Sequence, residues 1–151
     1  VLLEVQALVT PSPYGMPQRV ATGFDYRRLS ILLAVLEKRA GLKLSSQNVF
    51  LNIAGGIRID EPAVDLAICC AIASSFTDKF AKNDTVVIGE VGLGGEVRSV
   101  SNIEKRIQEA IKLGFKSIVV PVNNIKSIKP TNHIKVISAS DIKTIIQQIL
   151  S

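Results

Sequence analysis

Few side chains in this sequence have the chemistry that catalysis or metal binding requires. The only histidine is His133, in a polar stretch beside Asn132, and the only cysteines are the adjacent Cys69 and Cys70. Adjacent cysteines in an apolar run form neither a disulfide framework nor a C-x-x-C zinc site, and nothing nearby in sequence stabilises a thiolate. A single histidine excludes most His-based triads and His-rich metal sites. We therefore expect a solvated His133, inert core thiols and no metal or other cofactor in this chain.

The glycines of residues 89–95 are the remaining candidates for phosphate binding. A P-loop follows the pattern G-x-x-x-x-G-K-[ST], in which backbone N–H groups surround a phosphate and a lysine reaches it, and this pattern is absent. A dinucleotide-binding loop opens a helix, whereas residues 96–100 have the pattern of a strand. Short strands on both sides of Gly92, Gly94 and Gly95 predict a β-hairpin, with a phosphate site as the less favoured alternative.

Several arginines stand where the local sequence does not explain them. Arg27 and Arg28 lie in the first turn of a predicted helix, where the dipole disfavours cations by a few tenths of a kcal/mol up to ~1. A phosphate backbone would offset this cost, and so would acids of a neighbouring subunit. Partial neutralisation by Asp25 at a solvated surface is the third alternative. Arg27 and Arg28 form the candidate DNA-binding group together with Arg19 and with Arg58, which lies in a glycine-flanked loop.

The elements that would position these residues alternate between strand and helix periodicity. We predict strands at residues 1–10, 19–23, 49–54, 85–91, 96–100, 117–120 and 134–137. We predict helices at residues 25–40, 60–76, 101–113 and 141–150. This order indicates an α/β or α+β domain with a mixed sheet packed with helices.

The first helix has the clearest signals. Its buried face is predicted from leucines spaced i, i+3, i+4 and i+7, namely Leu29, Leu32, Leu33 and Leu36. Ile31 and Val35 are expected to widen that face, and Gly41 is the predicted C-cap.

The next two helices have polar starts. Residues 60–62 place two acids and a proline at the start of the second helix, which is otherwise almost entirely apolar or small and is predicted to be central in the core. Ser101 with Glu104 three residues later predicts a capping box at the start of the third helix.

Composition sets the class of protein. The 151 residues are 47% apolar, enough for one domain with a core, and apolar stretches are interrupted before they reach membrane-spanning length. Eighteen Lys and Arg against thirteen Asp and Glu give a net charge of +5, which permits a polyanionic partner. We expect a soluble cytoplasmic domain, excised from a longer protein because the chain opens on Val1.

Four ordered motifs, at residues 23–30, 36–41, 54–67 and 89–98, resemble the C-terminal Lon-protease-like domain of the bacterial RadA family, also called Sms. The resemblance covers essentially the whole of residues 1–151 as a single domain. It implies the fold of Lon proteolytic domains, which is related to domain 2 of ribosomal protein S5. It also implies a parent with a zinc finger and a RecA-like ATPase core upstream, which would hold zinc, ATP and magnesium.

The Lon catalytic dyad is missing from the matching positions. Lon proteases have a nucleophilic serine where this sequence has Ala63, and a lysine where it has Glu104. An alanine cannot attack a carbonyl, and a carboxylate cannot supply the positive charge of a serine–lysine pair. Proteolysis by this chain is therefore not expected, and a relocated nucleophile at Ser74 or Ser75 is the alternative.

The resemblance thus implies a non-proteolytic scaffold domain of a DNA repair and recombination protein. In this hypothesis the chain supports assembly of a hexameric ring and contributes basic contacts to DNA during ATP-driven branch migration. A recombinase of the RecA family is the expected partner of the parent, and no membrane is involved. A pure oligomerisation domain without DNA contact is the second alternative.

Overall fold

The computed structural model describes residues 2–54 and 61–151. The strands in that part of the chain are β1 (Val5–Pro11), β2 (Arg19–Thr22), β3 (Gln47–Ile53), β4 (Thr85–Val87), β5 (Glu90–Val91), β6 (Val97–Arg98), β7 (Ser117–Pro121) and β8 (Lys135–Ala139). The α-helices are α1 (Tyr26–Ala40), α2 (Asp65–Thr77), α3 (Ile103–Lys112) and α4 (Ile142–Ile149). Two 3-10 turns, Pro62–Val64 and Val122–Ser127, precede α2 and follow β7.

The strands form two three-stranded sheets and a separate hairpin. The first sheet has the order β1–β3–β2, with β3 antiparallel to β1 and parallel to β2. The second has the order β4–β7–β8 and is parallel throughout, and β5 pairs with β6 as an antiparallel hairpin. The α/β class and the predicted mixed sheet are confirmed, because the first sheet combines both strand directions, while the second sheet is parallel.

The core consists of two apolar clusters, one between the first sheet and helices α1, α2 and α4, and a smaller one between the second sheet and α3. The four predicted leucines of α1 are buried, and Val35 is buried with them. Ile31 is 40% exposed, so the prediction that it widens the buried face is wrong. Helix α2 contacts β1, α1, α4 and β5, which confirms the predicted central helix.

Both ends of α1 follow the sequence signals. The Asp25 carboxylate accepts a hydrogen bond from the backbone N–H of Arg27 at 3.0 Å and caps the first turn. Gly41 ends the helix in the left-handed conformation, with φ 73°, which a residue without a Cβ adopts at no steric cost.

The start of α2 differs from the prediction. The chain forms a 3-10 turn at Pro62–Val64, and the α-helix begins at Asp65. Pro62 occupies the first position of the turn, where its missing N–H leaves no donor without a partner. Asp60 lies outside the described residues.

The predicted capping box of α3 is wrong. The N-cap is Asn102, in the left-handed region with φ 58°, and its side chain makes no capping hydrogen bond. This turn puts Ser101 one residue before the cap, so Glu104 is not three residues from an N-cap hydroxyl. The Glu104 carboxylate instead accepts a hydrogen bond from the backbone N–H of Lys129 at 3.1 Å.

No helix in residues 2–54 and 61–151 combines the length and apolar character needed to cross a bilayer.

Helix α4 depends on an aspartate cap, and we expect Asp141→Ala to lower the free energy of unfolding by about 1 kcal/mol at neutral pH. The Asp141 carboxylate accepts hydrogen bonds from the N–H of Thr144 at 2.8 Å and from its hydroxyl at 3.0 Å. The bond from the Thr144 backbone, above all, lowers the pKa of Asp141. The stabilisation is therefore complete above the pKa that Asp141 has in the unfolded chain. It is lost as pH falls through the lower pKa that Asp141 has in the folded chain.

Urea denaturation at a series of pH values measures this effect. Asp141→Asn is the control, because an amide oxygen retains the capping acceptor without titrating. A stability difference between Asp141→Ala and the original chain that stays constant into acid would contradict the assignment.

Candidate functional site

A cleft of about 520 Å³ lies between the N-terminal end of α1, the segment that leads into α2, and the β5–β6 hairpin. Its lining combines six charged side chains with apolar and glycine positions: Phe24, Asp25, Arg28, Glu61, Pro62, Asp65, Glu90, Val91, Gly92, Leu93 and Arg98. Four of the charged residues are acids and two are arginines. The cleft is therefore lined by residues from three of the four motifs that carry the resemblance, those at 23–30, 54–67 and 89–98.

An ion pair between Arg28 and Asp65 forms one wall of the cleft. Asp65 is 1% exposed and is held at the first position of α2, while Arg28 reaches it from the first turn of α1. The Arg28 guanidinium donates two hydrogen bonds to the Asp65 carboxylate, one from Nε at 3.3 Å and one from Nη2. The bond to Asp65 raises the pKa of Arg28 above its ordinary value, so the guanidinium is charged at every physiological pH.

The same pair binds the backbone of the hairpin. Arg28 Nη2 donates to the carbonyl oxygen of Val91 at 2.9 Å, and the N–H of Val91 donates to Asp65 at 3.1 Å. Together the two side chains satisfy both backbone groups of Val91, as a neighbouring strand would. Asp65 is the group that offsets the unfavourable dipole for Arg28, an explanation that the sequence alternatives did not include.

The glycine-rich turn of the hairpin is closed by a carboxylate. Glu96 accepts hydrogen bonds from the N–H of Gly94 at 2.9 Å and from the Arg98 guanidinium at 3.0 and 3.1 Å. The hydrogen bond from its own backbone N–H lowers the pKa of Glu96 most, and the hydrogen bond from the Arg98 side chain lowers it further. Gly95 adopts φ 81°, and a Cβ there would stand 2.9 Å from the Cβ of Arg39. The predicted hairpin is confirmed. Its turn donors are used within the hairpin, because the N–H of Gly92 donates to the Glu96 carbonyl oxygen at 3.0 Å and that of Gly95 to the Gly92 carbonyl oxygen at 2.9 Å.

The two positions that match the Lon dyad have other surroundings. Ala63 is buried, and its carbonyl oxygen accepts a hydrogen bond from the N–H of Gly89 at 2.9 Å. Glu104 is half-buried and fixes the Lys129 backbone, and one of its oxygens is buried without a partner in the described chain. An ion pair between Glu61 and Arg106, 2.8 Å apart, links the segment before Ala63 to α3.

The alternative nucleophiles both make structural hydrogen bonds. The Ser74 hydroxyl donates to the carbonyl oxygen of Lys79 at 2.6 Å, and the Ser75 hydroxyl accepts from the N–H of Val9 at 2.9 Å. The first bond closes the turn after α2, and the second ties α2 to β1.

The remaining reactive residues lie where the sequence indicated. Cys69 and Cys70 are buried in α2, and burial raises the pKa of Cys70 to about 12 and that of Cys69 well above its usual range. His133 is exposed in the loop before β8. Within residues 2–54 and 61–151, no group of three or more His, Cys, Asp or Glu is arranged to hold a metal ion.

The candidate DNA-binding arginines have unequal freedom. Arg27 is exposed at the start of α1, and no carboxylate of the described chain pairs with its guanidinium. Arg19 is half-buried and donates to the carbonyl oxygen of Leu44 at 2.7 Å, while Arg28 is held by Asp65. Arg58 lies outside the described residues. The structure therefore brings Arg27 and Arg28 together on one helix turn and gives Arg19 a separate structural contact.

Comparison with known families identifies the class of domain. The model of the family described as subunit ChlI of Mg-chelatase matches residues 14–124, and the chain belongs to that family.

The particular relatives are DNA repair proteins. The chain is 50% identical to the DNA repair protein RadA of Halalkalibacterium halodurans over 143 residues, 95% of this chain and 31% of the relative. It is 50% identical to RadA of Bacillus subtilis strain 168 over 142 residues, 94% and 31% of the two chains. It is 48% identical to RadA of Streptococcus pneumoniae over 151 residues, 100% and 36%. The resemblance to RadA is confirmed along the whole chain, which spans about a third of the length of these relatives.

Proposed function

We propose that this chain is a non-proteolytic, Lon-like scaffold domain of a DNA repair protein of the RadA type. The observation that carries the proposal is the identity of 44 to 50% with DNA repair proteins over 94 to 100% of the chain. Ala63 and Glu104 support the non-proteolytic part, because neither side chain can take the role of the Lon serine or lysine. In the whole protein, an ATPase core that binds ATP and magnesium would drive branch migration, and a zinc finger would lie upstream of it. The partner of the whole protein would be a RecA-family recombinase in the cytoplasm.

One face of the first sheet supports a role in assembly. Leu8 and Val20 are 54% and 45% exposed, and both stand opposite Phe50 in the strand register. The neighbouring outward positions are uncharged: Gln6, Thr10, Thr22, Asn48 and Asn52. An apolar row surrounded by uncharged polar side chains is typical of protein contact surfaces. We name these eight residues the sheet face and assign to it one contact of the proposed hexameric ring.

We expect the double substitution Leu8→Glu and Val20→Glu to shift the assembled chain to smaller species. Two carboxylates would have to lose water at the contact without a partner, which is unfavourable. Light scattering coupled to size exclusion measures the mass, and Leu113→Glu is the control, because Leu113 is 57% exposed at the end of α3, away from this sheet. An unchanged mass for the double variant, or a monomeric original chain at every concentration, would contradict the assembly role.

DNA contact is assigned to the arginines at residues 19, 27, 28 and 58, with Arg27 as the most accessible of those described. Arg27→Ala is expected to weaken binding similarly for unrelated duplexes and to reduce the slope of log affinity against log salt by about 0.9 for each phosphate that the arginine neutralises. The control is Lys38→Ala, since Lys38 stands in the last turn of α1, about 16 Å along the same helix. An unchanged slope for Arg27→Ala with an intact oligomer would favour a pure oligomerisation domain.

A further inference from the structure

A second depression, of about 500 Å³, lies beside the last strand. It is lined by Val122, Asn123, Ile125, Lys126, Val136 and Ser138. The first four belong to the 3-10 turn Val122–Ser127, and the other two belong to β8. We name this feature the β8 groove.

The strand along this groove has an open edge. β8 is the outer strand of the order β4–β7–β8, and among the described residues Lys135–Ala139 pair only with β7. The chain directly after β8 pairs with the hairpin, because the N–H of Val97 donates to the Ser140 carbonyl oxygen at 2.9 Å and Glu96 forms a bridge with Asp141, so the free edge is limited to β8 itself. The N–H of Lys135 donates to the carbonyl oxygen of Lys116 at 2.9 Å, so the backbone groups of Lys135 point toward β7. Because backbone groups of successive strand residues point to opposite sides, those of Val136 and Ser138 point to the open edge.

The wall of the groove offers apolar surface beside this edge. Val122 and Ile125 are 42% and 38% exposed although both are aliphatic, and they stand in one 3-10 turn. Val136 is half-buried and faces the same groove. A strand added at the edge would place every second side chain against this apolar wall.

Two lysines stand beside the groove. The neighbouring Lys129 lies close to an acid, because its backbone N–H donates to the Glu104 carboxylate at 3.1 Å. Lys126 lines the groove itself, and Lys135 is the first residue of β8. The Lys135 side chain lies on the face opposite Val136, because side chains alternate along a strand. Basic groups therefore stand on both faces of the open edge.

We propose that the open edge of β8 binds an extended segment of a partner protein in which aliphatic residues alternate with aspartate or glutamate. The backbone of that segment would pair with the N–H and C=O groups of Val136 and Ser138. Its aliphatic side chains would cover Val122 and Ile125, and its acids would face Lys135. A nucleic acid fits this place less well, since it has neither a strand backbone to pair with the edge nor aliphatic groups for the wall.

A direct binding measurement tests the proposal. The probe is a fluorescent octapeptide of alternating valine and glutamate, titrated with the complete chain and followed by polarisation. The matched probes are the valine–lysine octapeptide and an eight-nucleotide single strand of thymidines. Saturable binding of the acidic peptide, at least tenfold tighter than that of the lysine peptide, is expected. Equal binding of both peptides, or binding of the oligonucleotide alone, would overturn the proposal.

Two variants locate the site on the strand. Ser138→Pro removes an edge N–H that does not face β7, and Lys135→Glu reverses the charge that the acids of the peptide would face without altering the backbone. Each variant is expected to weaken binding of the acidic peptide at least tenfold. Lys143→Glu is the control, because Lys143 is an exposed lysine on α4. If Ser138→Pro does not fold, Lys135→Glu alone decides, and unchanged affinity for that variant would overturn the proposal.

Hydrogen exchange gives a readout that does not depend on a variant. In the free chain the N–H groups of Val136 and Ser138 are expected to exchange faster than that of Ile137, which faces β7, and to become protected at saturating peptide. Equal protection of the three in the free chain at low concentration would show that the edge is already covered and would overturn the proposal.

Discussion

Replacing Arg28 with alanine is expected to lower the free energy of unfolding by about 3 kcal/mol. The substitution leaves the carboxylate of Asp65, which is 1% exposed, without its cation, and it leaves the Val91 carbonyl without a donor. Removing one partner of a buried pair costs roughly 3 to 5 kcal/mol, and the lower end applies because the Arg28 side chain is 31% exposed. Urea denaturation followed by circular dichroism measures the loss.

Arg27→Ala is the matched control for this experiment. Arg27 is the preceding residue on the same helix turn, and its exposed side chain makes no ion pair in the described chain, so its loss is expected to change stability by about 0.5 kcal/mol at most. Equal effects of the two substitutions would show that the Arg28–Asp65 pair does not hold the hairpin.

The double variant Arg28→Met with Asp65→Leu separates the ion pair from its backbone contacts. Two well-packed apolar residues replace a buried ion pair at little cost in many proteins. Here the N–H and C=O of Val91 would still lose their partners, so we expect a remaining loss of about 2 kcal/mol. Full recovery of stability would mean that water satisfies the Val91 backbone groups.

The parts of the fold that sequence could predict are those set by local periodicity and local steric rules. The leucines of α1 repeat with helical spacing, and Gly41 supplies the left-handed residue that ends the helix. The glycine-rich hairpin follows from turn chemistry within seven residues of sequence. In each case the residues that decide the structure are neighbours in the chain, so a pattern in the sequence records them.

The parts that sequence did not predict depend on distant partners. Arg28 and Asp65 are 37 positions apart, and no periodicity connects them. Two clues were present: Arg28 opposes the helix dipole, and Asp65 is the only charged residue in α2. A charge that is unfavourable locally and another in an apolar helix each require a partner. For α3, the left-handed Asn102 displaced the capping box, and the pattern Ser101 to Glu104 does not reveal that turn.

The chain just after the hairpin is held by a single side chain that contacts both backbone groups of one residue. Asn124 is 7% exposed, and its amide oxygen accepts from the N–H of Val100 at 3.0 Å while its amide nitrogen donates to the Val100 carbonyl at 3.0 Å. It thus does for Val100 what the Arg28–Asp65 pair does for Val91. The chain before α3 is therefore fixed to the turn after β7 by one amide group.

We expect Asn124→Ala to lower the free energy of unfolding by about 2 kcal/mol, because the N–H and C=O of Val100 lose their partners at a partly buried position. Asn123→Ala is the control, since Asn123 is exposed in the same 3-10 turn and is expected to change stability by about 0.5 kcal/mol at most. Urea denaturation of the two variants side by side measures the difference. Similar stabilities would contradict the assignment.

Asn124→Asp tests the direction of the two hydrogen bonds. An ionised carboxylate still accepts from the Val100 N–H but places a negative oxygen against the Val100 carbonyl, so the loss at pH 7 is expected to exceed that of Asn124→Ala. A protonated carboxyl regains a donor, and the gap between Asn124→Asp and the original chain should therefore narrow as pH falls toward 4. A gap that stays constant over this range would mean that the amide nitrogen does not donate to Val100, and that only the acceptor half of the contact stabilises the fold.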